Sequence, residues 1–224
     1  MKLNKSKKYD LHIHTKYSNC SFLPPKILLQ NAKKKGLSGI AVTDHNTIKG
    51  ALETKKLNQD KDFEVIIGEE ISTEKGHIIG LYLKKEIHPG KFDDVVKQIK
   101  AQNGLIIIPH PFSCVGILRS GFKLKFEDIK DKIDAIETFN ARFFFQFENI
   151  RAKIKAKELD LAQTGGSDSH FCFEVGRGYT EFEGDLRSAI KNKKTQTKGS
   201  ILLAIPSRCL SIIPVILNFI KKLF

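Results

Sequence analysis

Short apolar runs, several ending in histidine, alternate with helical stretches along most of this 224-residue chain. That alternation constrains the fold more than any other feature. YDLHIH (9–14) reads as the first strand. Pro24 and Pro25 then open a helical stretch, ILLQNAKKK, that stops at Gly36, the usual punctuation of a helix start and end. GIAVTDH (39–45) is a second strand, followed by a helix from about 47 to 57. FEVIIGEEIS (63–72) and HIIGLYL (77–83) are the third and fourth strands, and a helix over roughly 92–102 ends near Gly104. LIIIPH (105–110) and DAIETFN (134–140) are the fifth and sixth strands, with a long helix over roughly 143–159. LAQTGGSDSH (161–170) holds the seventh, and a last short helix falls near 183–192. This order predicts an α/β architecture with a mainly parallel sheet, either open and doubly wound or closed as a barrel. The unbroken apolarity of GIAV and LIIIP suits strands buried on both faces. The polar stretch KKTQTKGS (193–200) reads as a junction, dividing a domain over 1–198 from an apolar segment over 199–224.

Composition narrows the class. With 41% apolar and 28% charged residues the chain can bury a core, which excludes disordered and fibrous proteins. Thirty-eight Lys and Arg face 25 Asp and Glu, a net charge of +13 that attracts anionic partners without separating nucleotides, nucleic acid and anionic membrane. Cys20, Cys114, Cys172 and Cys209 form no CxxC pair, which argues against a zinc ribbon or disulfide framework and fits a reducing, cytoplasmic setting. MKLNKSKKYD carries no apolar run of a signal peptide. Residues 201–224 are strongly apolar but interrupted by Pro206, Arg208 and Pro214, and the charge-free run from Cys209 to Ile220 is short for a membrane span. The segment reads as core-docking, with membrane-surface association through Lys221 and Lys222 as the alternative. FFFQF (143–147) reads as a helix face packed in the core in preference to a base-stacking platform.

The histidines are not scattered. His12 and His14 close strand one, His45 closes strand two, His110 closes strand five and His170 follows strand seven, while His77 opens strand four. Only His88, in an IHPG turn, stands apart. Acidic residues keep them company: Asp44 before His45, Glu69 and Glu70 on strand three, Glu137 on strand six and Asp168 two residues before His170. The carboxyl ends of parallel strands form one face, so residues remote in sequence converge on one mouth. Imidazole nitrogens with carboxylate oxygens are the ligand set of Zn, Mn or Fe, and residues at i and i+2 on a strand share a face. The ligands outnumber the needs of one tetrahedral ion, which implies two or three divalent ions that activate water and clamp phosphate oxygens. His-rich ligation argues against Mg alone. Asp44 is either a ligand or a group that orients one. No GxSxG elbow or GxxxxGK[ST] loop offers a competing chemistry.

DLHIHTKYS, GIAVTDHNTIKG, IIGEEIST with GHIIGLYL, IIIPHPF, DAIETFNAR and GGSDSH, in that order over about 9–192, resemble the PHP superfamily of polymerase and histidinol phosphatase domains. The resemblance is strongest to small stand-alone phosphoesterases. It implies a distorted (β/α)7 TIM-like barrel with a trinuclear metal site. His12, His14, His45, Glu70, His77, His110, Asp168 and His170 match its ligand positions. Where many relatives carry Asp or His after the first motif, this chain has Asn19 and Cys20, and Cys20, a competent thiolate ligand, is the favoured one. Asp44, Glu137 and Asn140 are the catalytic or ligand-orienting candidates, and Arg142 and Arg177 the candidate phosphate-binding residues. The resemblance implies a metal-dependent phosphoesterase acting on a nucleoside bisphosphate or short RNA, as phosphatase or exonuclease, with RNA binding weak. Histidinol-phosphate phosphatase and a non-catalytic binding module are the alternatives.

Overall fold

The computed structural model describes residues 6–113, 122, 123, 125–143 and 146–202. The elements run β1 Lys7–Asp10, α1 Pro25–Lys34, β2 Gly39–Val42, α2 Lys49–Leu57, β3 Glu64–Thr73, β4 Gly76–Leu81, α3 Phe92–Ala101, β5 Leu105–Ile108, β6 Ala135–Asn140, α4 Gln146–Glu158, β7 Ala162–Gly166, β8 Gly178–Phe182, α5 Leu186–Lys191 and β9 Thr195–Gly199. One sheet contains all the strands in the order β7-β6-β5-β4-β3-β2-β1-β8-β9 and curls into a nearly closed barrel.

The sheet is mixed, which corrects the expectation of a mainly parallel one. β1–β2, β2–β3, β5–β6 and β6–β7 pair in parallel, while β3–β4, β4–β5, β1–β8 and β8–β9 are antiparallel. Thr73–Gly76 makes the tight turn that sends β4 back along β3, with Gly76 at φ +120°. Two strands were not anticipated. β8 pairs antiparallel with β1, and β9 returns after α5 to pair antiparallel with β8, so residues 195–199 are a paired strand. β9 is mostly exposed, and backbone hydrogen bonds hold it, which needs no apolar pattern.

Regular pairing of β1 ends at Asp10, earlier than the run to His14 suggests. The chain nevertheless continues beside the extension of β7: Leu11 N donates to Gly165 O (3.4 Å), Asp168 N to His12 O (2.8 Å) and His14 N to Ser169 O (2.9 Å). This seam closes the barrel at its mouth. It works because residue 166 is glycine; a Cβ there would lie 2.4 Å from His12 Cβ and 2.8 Å from His12 N.

Helices cover the outside. α3 buries Phe92, Val95, Val96 and Ile99, the i, i+3, i+4, i+7 stripe of an amphipathic helix, against Ile106, Ile108 and Ile136. Each such side chain contributes roughly 1.5–3 kcal/mol by leaving water. α1 seats Leu28, Leu29 and Ala32 on Ile13, Ile40 and Val42. Tyr9, Leu11, Ile66, Ile79, Leu105 and Ile107 form a separate apolar cluster with Phe182 and Leu186. Phe143 is fully buried and Phe147 is exposed, so the two described phenylalanines of FFFQF part company. Phe144, Phe145 and the apolar segment from 203 onward lie outside the described residues. Among those described, no helix is long and apolar enough to cross a membrane.

Candidate metal centre

The barrel mouth gathers imidazoles around one carboxylate. Glu70 sits on β3, and its Oε1 is 2.9 Å from both His77 Nδ1 and His110 Nε2. Its Oε2 is 3.2 Å from His45 Nδ1, 3.3 Å from His14 Nε2 and 3.4 Å from His12 Nε2. Asp168 forms a second focus, with Oδ1 3.3 Å from His14 Nε2 and 3.7 Å from His12 Nε2 and His170 Nδ1. His77 reaches this ring from the start of its strand because β4 is antiparallel, which puts its amino end at the mouth. His45 and His77 are the open side of the ring, with side chains 31% and 29% exposed, whereas His12 and His14 are buried.

Backbone strain marks the same place. His110 (φ +29°) and Asp168 (φ +53°) adopt left-handed backbone where their strands end. Non-glycine residues hold such conformations where surrounding structure enforces them, often at functional sites.

Supporting contacts set the ring orientations. Glu137 on β6 lies with Oε1 3.0 Å from His12 Nδ1, while its Oε2 accepts from His110 N (2.7 Å) and Asn140 Nδ2 (3.0 Å). A carboxylate on Nδ1 leaves Nε2 as the nitrogen facing the ring's centre, the arrangement that orients metal-ligating histidines. Asn140 also donates to Asp168 Oδ2 (3.2 Å). Asp44 is not in the ring. Its Oδ1 accepts from Thr15 N (2.6 Å) and Ser18 Oγ (2.7 Å) and its Oδ2 from Thr15 Oγ1 (2.6 Å), so it holds the loop after His14. Cys20, on that loop, presents its sulfur within 4.8 Å of donor atoms on His14 and His45, while Asn19 is exposed.

Arg142 is buried at the rim, its Nη1 donating to Asp168 O (3.3 Å) and its Nε 3.8 Å from Glu174 Oε1. Arg177 is not brought to the ring; its guanidinium donates to Ser200 in a cavity shared with Lys35, Tyr179 and Lys198. Glu69, next to Glu70, points elsewhere and accepts from Ile87 N (2.9 Å). Two buried carboxylates that hold the backbone of ring histidines escaped the sequence reading. Asp10 accepts from Ser167 N (2.8 Å), Gly176 N (2.8 Å) and His12 N (3.4 Å), and Glu174 accepts from His170 N (2.7 Å) and Phe171 N (2.9 Å). Their only sequence signals are the D-x-H-x-H spacing and an acid four residues after His170.

The electrostatics follow from this crowding. Burial alone raises a carboxylate, yet the imidazoles of His45, His77 and His12 hold Glu70 well below the usual range. Asp168 is held down in the same way, chiefly by His12 and His14. Burial lowers an imidazole, but Glu137, Asp168 and Glu70 lift His12 well above its ordinary value, and Asp168 with Glu70 lifts His14 to about 8. Burial dominates at His45, which falls to about 3, and at His170, where Arg142 adds to the depression. Burial pushes the Cys20 thiol and the Asp10 carboxyl up, the latter to about 7.

Hydrogen bonds leave part of this arrangement unpaired. His77 Nδ1 is buried and close to Glu70 without the alignment of a hydrogen bond, and His12 Nε2 faces His14 Nε2 at 3.1 Å. Lone pairs converging on shared points, with carboxylates between them, are the donor set that divalent cations fit. Among the described residues, five overlapping triads offer ligand atoms within 4.8 Å of one another: His14–Cys20–His45, His12–His14–Glu70, His12–His110–Asp168, His14–Asp168–His170 and His45–Glu70–His77.

A nearly closed barrel with such a ring at its strand ends belongs to the class of barrel proteins whose mouth offers clustered metal ligands. Comparison with known proteins narrows the class. The PHP domain pattern matches residues 10–105 and the PHP-associated pattern residues 146–195. The chain belongs to the PHP family. An uncharacterized protein of Methanocaldococcus jannaschii is 44% identical over 147 residues, 60% of this chain and 82% of that protein. A Haemophilus influenzae protein named 5′-3′ exoribonuclease is 40% identical over 88 residues, 38% of this chain and 31% of that protein. The fold matches a Bacteroides vulgatus two-domain protein described as containing a predicted PHP-like metal-dependent phosphoesterase, with a TM-score of 0.73 and 19% identity, over 88% of this chain and 65% of that one.

Proposed function

We propose that this chain is a hydrolase of phosphate esters, a metal-dependent PHP phosphoesterase whose substrate is a nucleotide or a short RNA. The observation that carries the reading is Glu70, one buried carboxylate with five imidazoles aimed at it. His12, His14, Cys20, His45, Glu70, His77, His110, Asp168 and His170 are the residues that would hold the ions. When bound, the ions supply Lewis acidity that activates water and offsets charge on phosphate oxygens.

The chain's own residues do the rest. Glu137 holds the His12 ring by Nδ1 and the His110 backbone by its N–H, so two ligands move as one unit with β6. Asn140 ties Glu137 to Asp168 across the β6–β7 pair. Arg142, held beside Asp168 by a backbone carbonyl and Glu174, offers a planar cation at the rim for a substrate phosphate. The exposed sides of His45 and His77 mark where substrate enters. A net charge of +13 favours a substrate with several phosphates over a neutral sugar, and the Haemophilus relative's name supports the RNA branch.

The test is phosphate or nucleotide release from a nucleoside 3′,5′-bisphosphate, short 5′-phosphorylated RNA and histidinol phosphate, with Mn or Zn supplied and then chelated. Metal-dependent turnover of the bisphosphate or the RNA is expected. Turnover of histidinol phosphate alone would overturn the nucleotide reading while leaving the phosphoesterase standing.

A further inference from the structure

The subsites of the ring differ in kind. Four of the five triads are built from imidazole and carboxylate, whereas His14–Cys20–His45 brings a sulfur. This third position is rigidly built. Ser18 Oγ donates to Asp44 Oδ1 (2.7 Å), accepts from His45 N (3.0 Å) and lies 3.3 Å from His14 Nδ1. Ser21 Oγ is 2.9 Å from the His170 carbonyl and 3.3 Å from that of His14. Ser18 N and Ser21 N close consecutive turns onto Thr15 O and Ser18 O. Cys20 therefore sits between two serines anchored to ring-bearing strands, with its side chain half-buried. The His14 and His45 rings are stacked 4.5 Å apart, which sets both on one wall of the subsite.

We propose that His14, Cys20 and His45 form a thiolate subsite that selects a thiophilic divalent ion of the zinc class, making the cluster mixed in composition, with harder ions admitted only at the imidazole–carboxylate positions. The proposal rests on the reading of the mouth as a metal centre. Zinc takes sulfur at about 2.3 Å and imidazole nitrogen at about 2.0–2.1 Å, so its donors stand roughly 3.3–3.6 Å apart at tetrahedral angles. Donors already within 4.8 Å close on such an ion by small side-chain rotations. As the metal–sulfur bond forms, the S–H proton leaves to solvent. Mg and Ca, which take oxygen ligands, gain nothing from sulfur at this position, and Mn, which prefers carboxylate and water oxygen, gains little.

The test loads the full-length, metal-stripped protein with cobalt(II), a spectroscopic stand-in for zinc, and reads thiolate-to-cobalt charge transfer in the near ultraviolet with cobalt content by elemental analysis. The wild type shows the band. Cys172→Ser, which changes an exposed cysteine, keeps it. Cys20→Ser loses the band and up to one ion per chain, with zinc affinity at that position falling by at least the roughly 10- to 100-fold that loss of a ligand-orienting contact costs. Cys20→Asp restores the ion count without the band and shifts preference from zinc toward manganese. Cobalt bound by the wild type with no charge-transfer band, or a band that survives in Cys20→Ser, would overturn the proposal and leave the wider metal centre intact. No cobalt bound at all would overturn both.

Discussion

Glu70 shows how much one side chain organises. Its charge is stable only because imidazoles surround it, and the imidazoles of His12 and His14 hold protons tightly only because Glu70, Asp168 and Glu137 surround them. A metal ion bound there would replace those protons, so uptake and pH would be linked. The sign follows from His14, raised to about 8: above that pH the ring is neutral and ready to bind, and below it each ion must displace a proton. Metal affinity should therefore weaken as pH falls below about 8, by up to about tenfold per unit for each proton displaced. Titration calorimetry in buffers of different ionisation enthalpy should find more protons released per ion at pH 7 than at pH 9. Equal release would contradict the assignment of His14 as a ligand. Asp44 belongs to this scale too: at the end of β2 it resembles a ring member in sequence, yet Thr15 and Ser18 take both of its oxygens.

At the scale of elements, the barrel depends on the seam between β1 and β7. Gly166→Ala should open it, because the added Cβ meets backbone and Cβ atoms of His12 that cannot swing aside. A cost of about 1–3 kcal/mol is expected, together with loss of metal. Gly90→Ala, whose Cβ meets only a carbonyl 4.0 Å away, should stay within about 0.5 kcal/mol. Thermal unfolding of both variants checks this, and equal stability would show that the seam yields. The elements also show what the sequence makes legible. Apolar runs such as Leu105–Ile108 and helices with a clear buried stripe, such as α3, announce themselves because burial demands the pattern. β9 does not, since TQTKG is exposed along most of its length and pairs through its backbone; Thr195 and Thr197 are its only β-branched hints. The strand direction of β4 is equally silent, although it decides that His77 reaches the mouth. Ring histidines stand out by residue type and position, while Asp10 and Glu174, which hold the backbone beneath them, look like any acidic residue until the fold buries them.

At the scale of the molecule, the charge of +13 separates substrate classes by salt dependence. If short RNA is engaged through about three phosphates, KM should rise on the order of tenfold between about 50 and 200 mM salt, with kcat nearly constant. A single-phosphate substrate should show a much smaller change. A KM for RNA that ignores salt would contradict engagement of the strand by the basic surface.

The most direct test of the metal centre as the seat of hydrolysis compares metal content and phosphoester turnover in the wild type and the His12→Ala, His14→Ala double variant. The wild type should hold two or more divalent ions per chain, lose turnover on chelation and regain it on reloading. The double variant should be folded, with ion content reduced and turnover abolished. Undiminished turnover in that variant, or in chelated wild-type protein, would contradict the account.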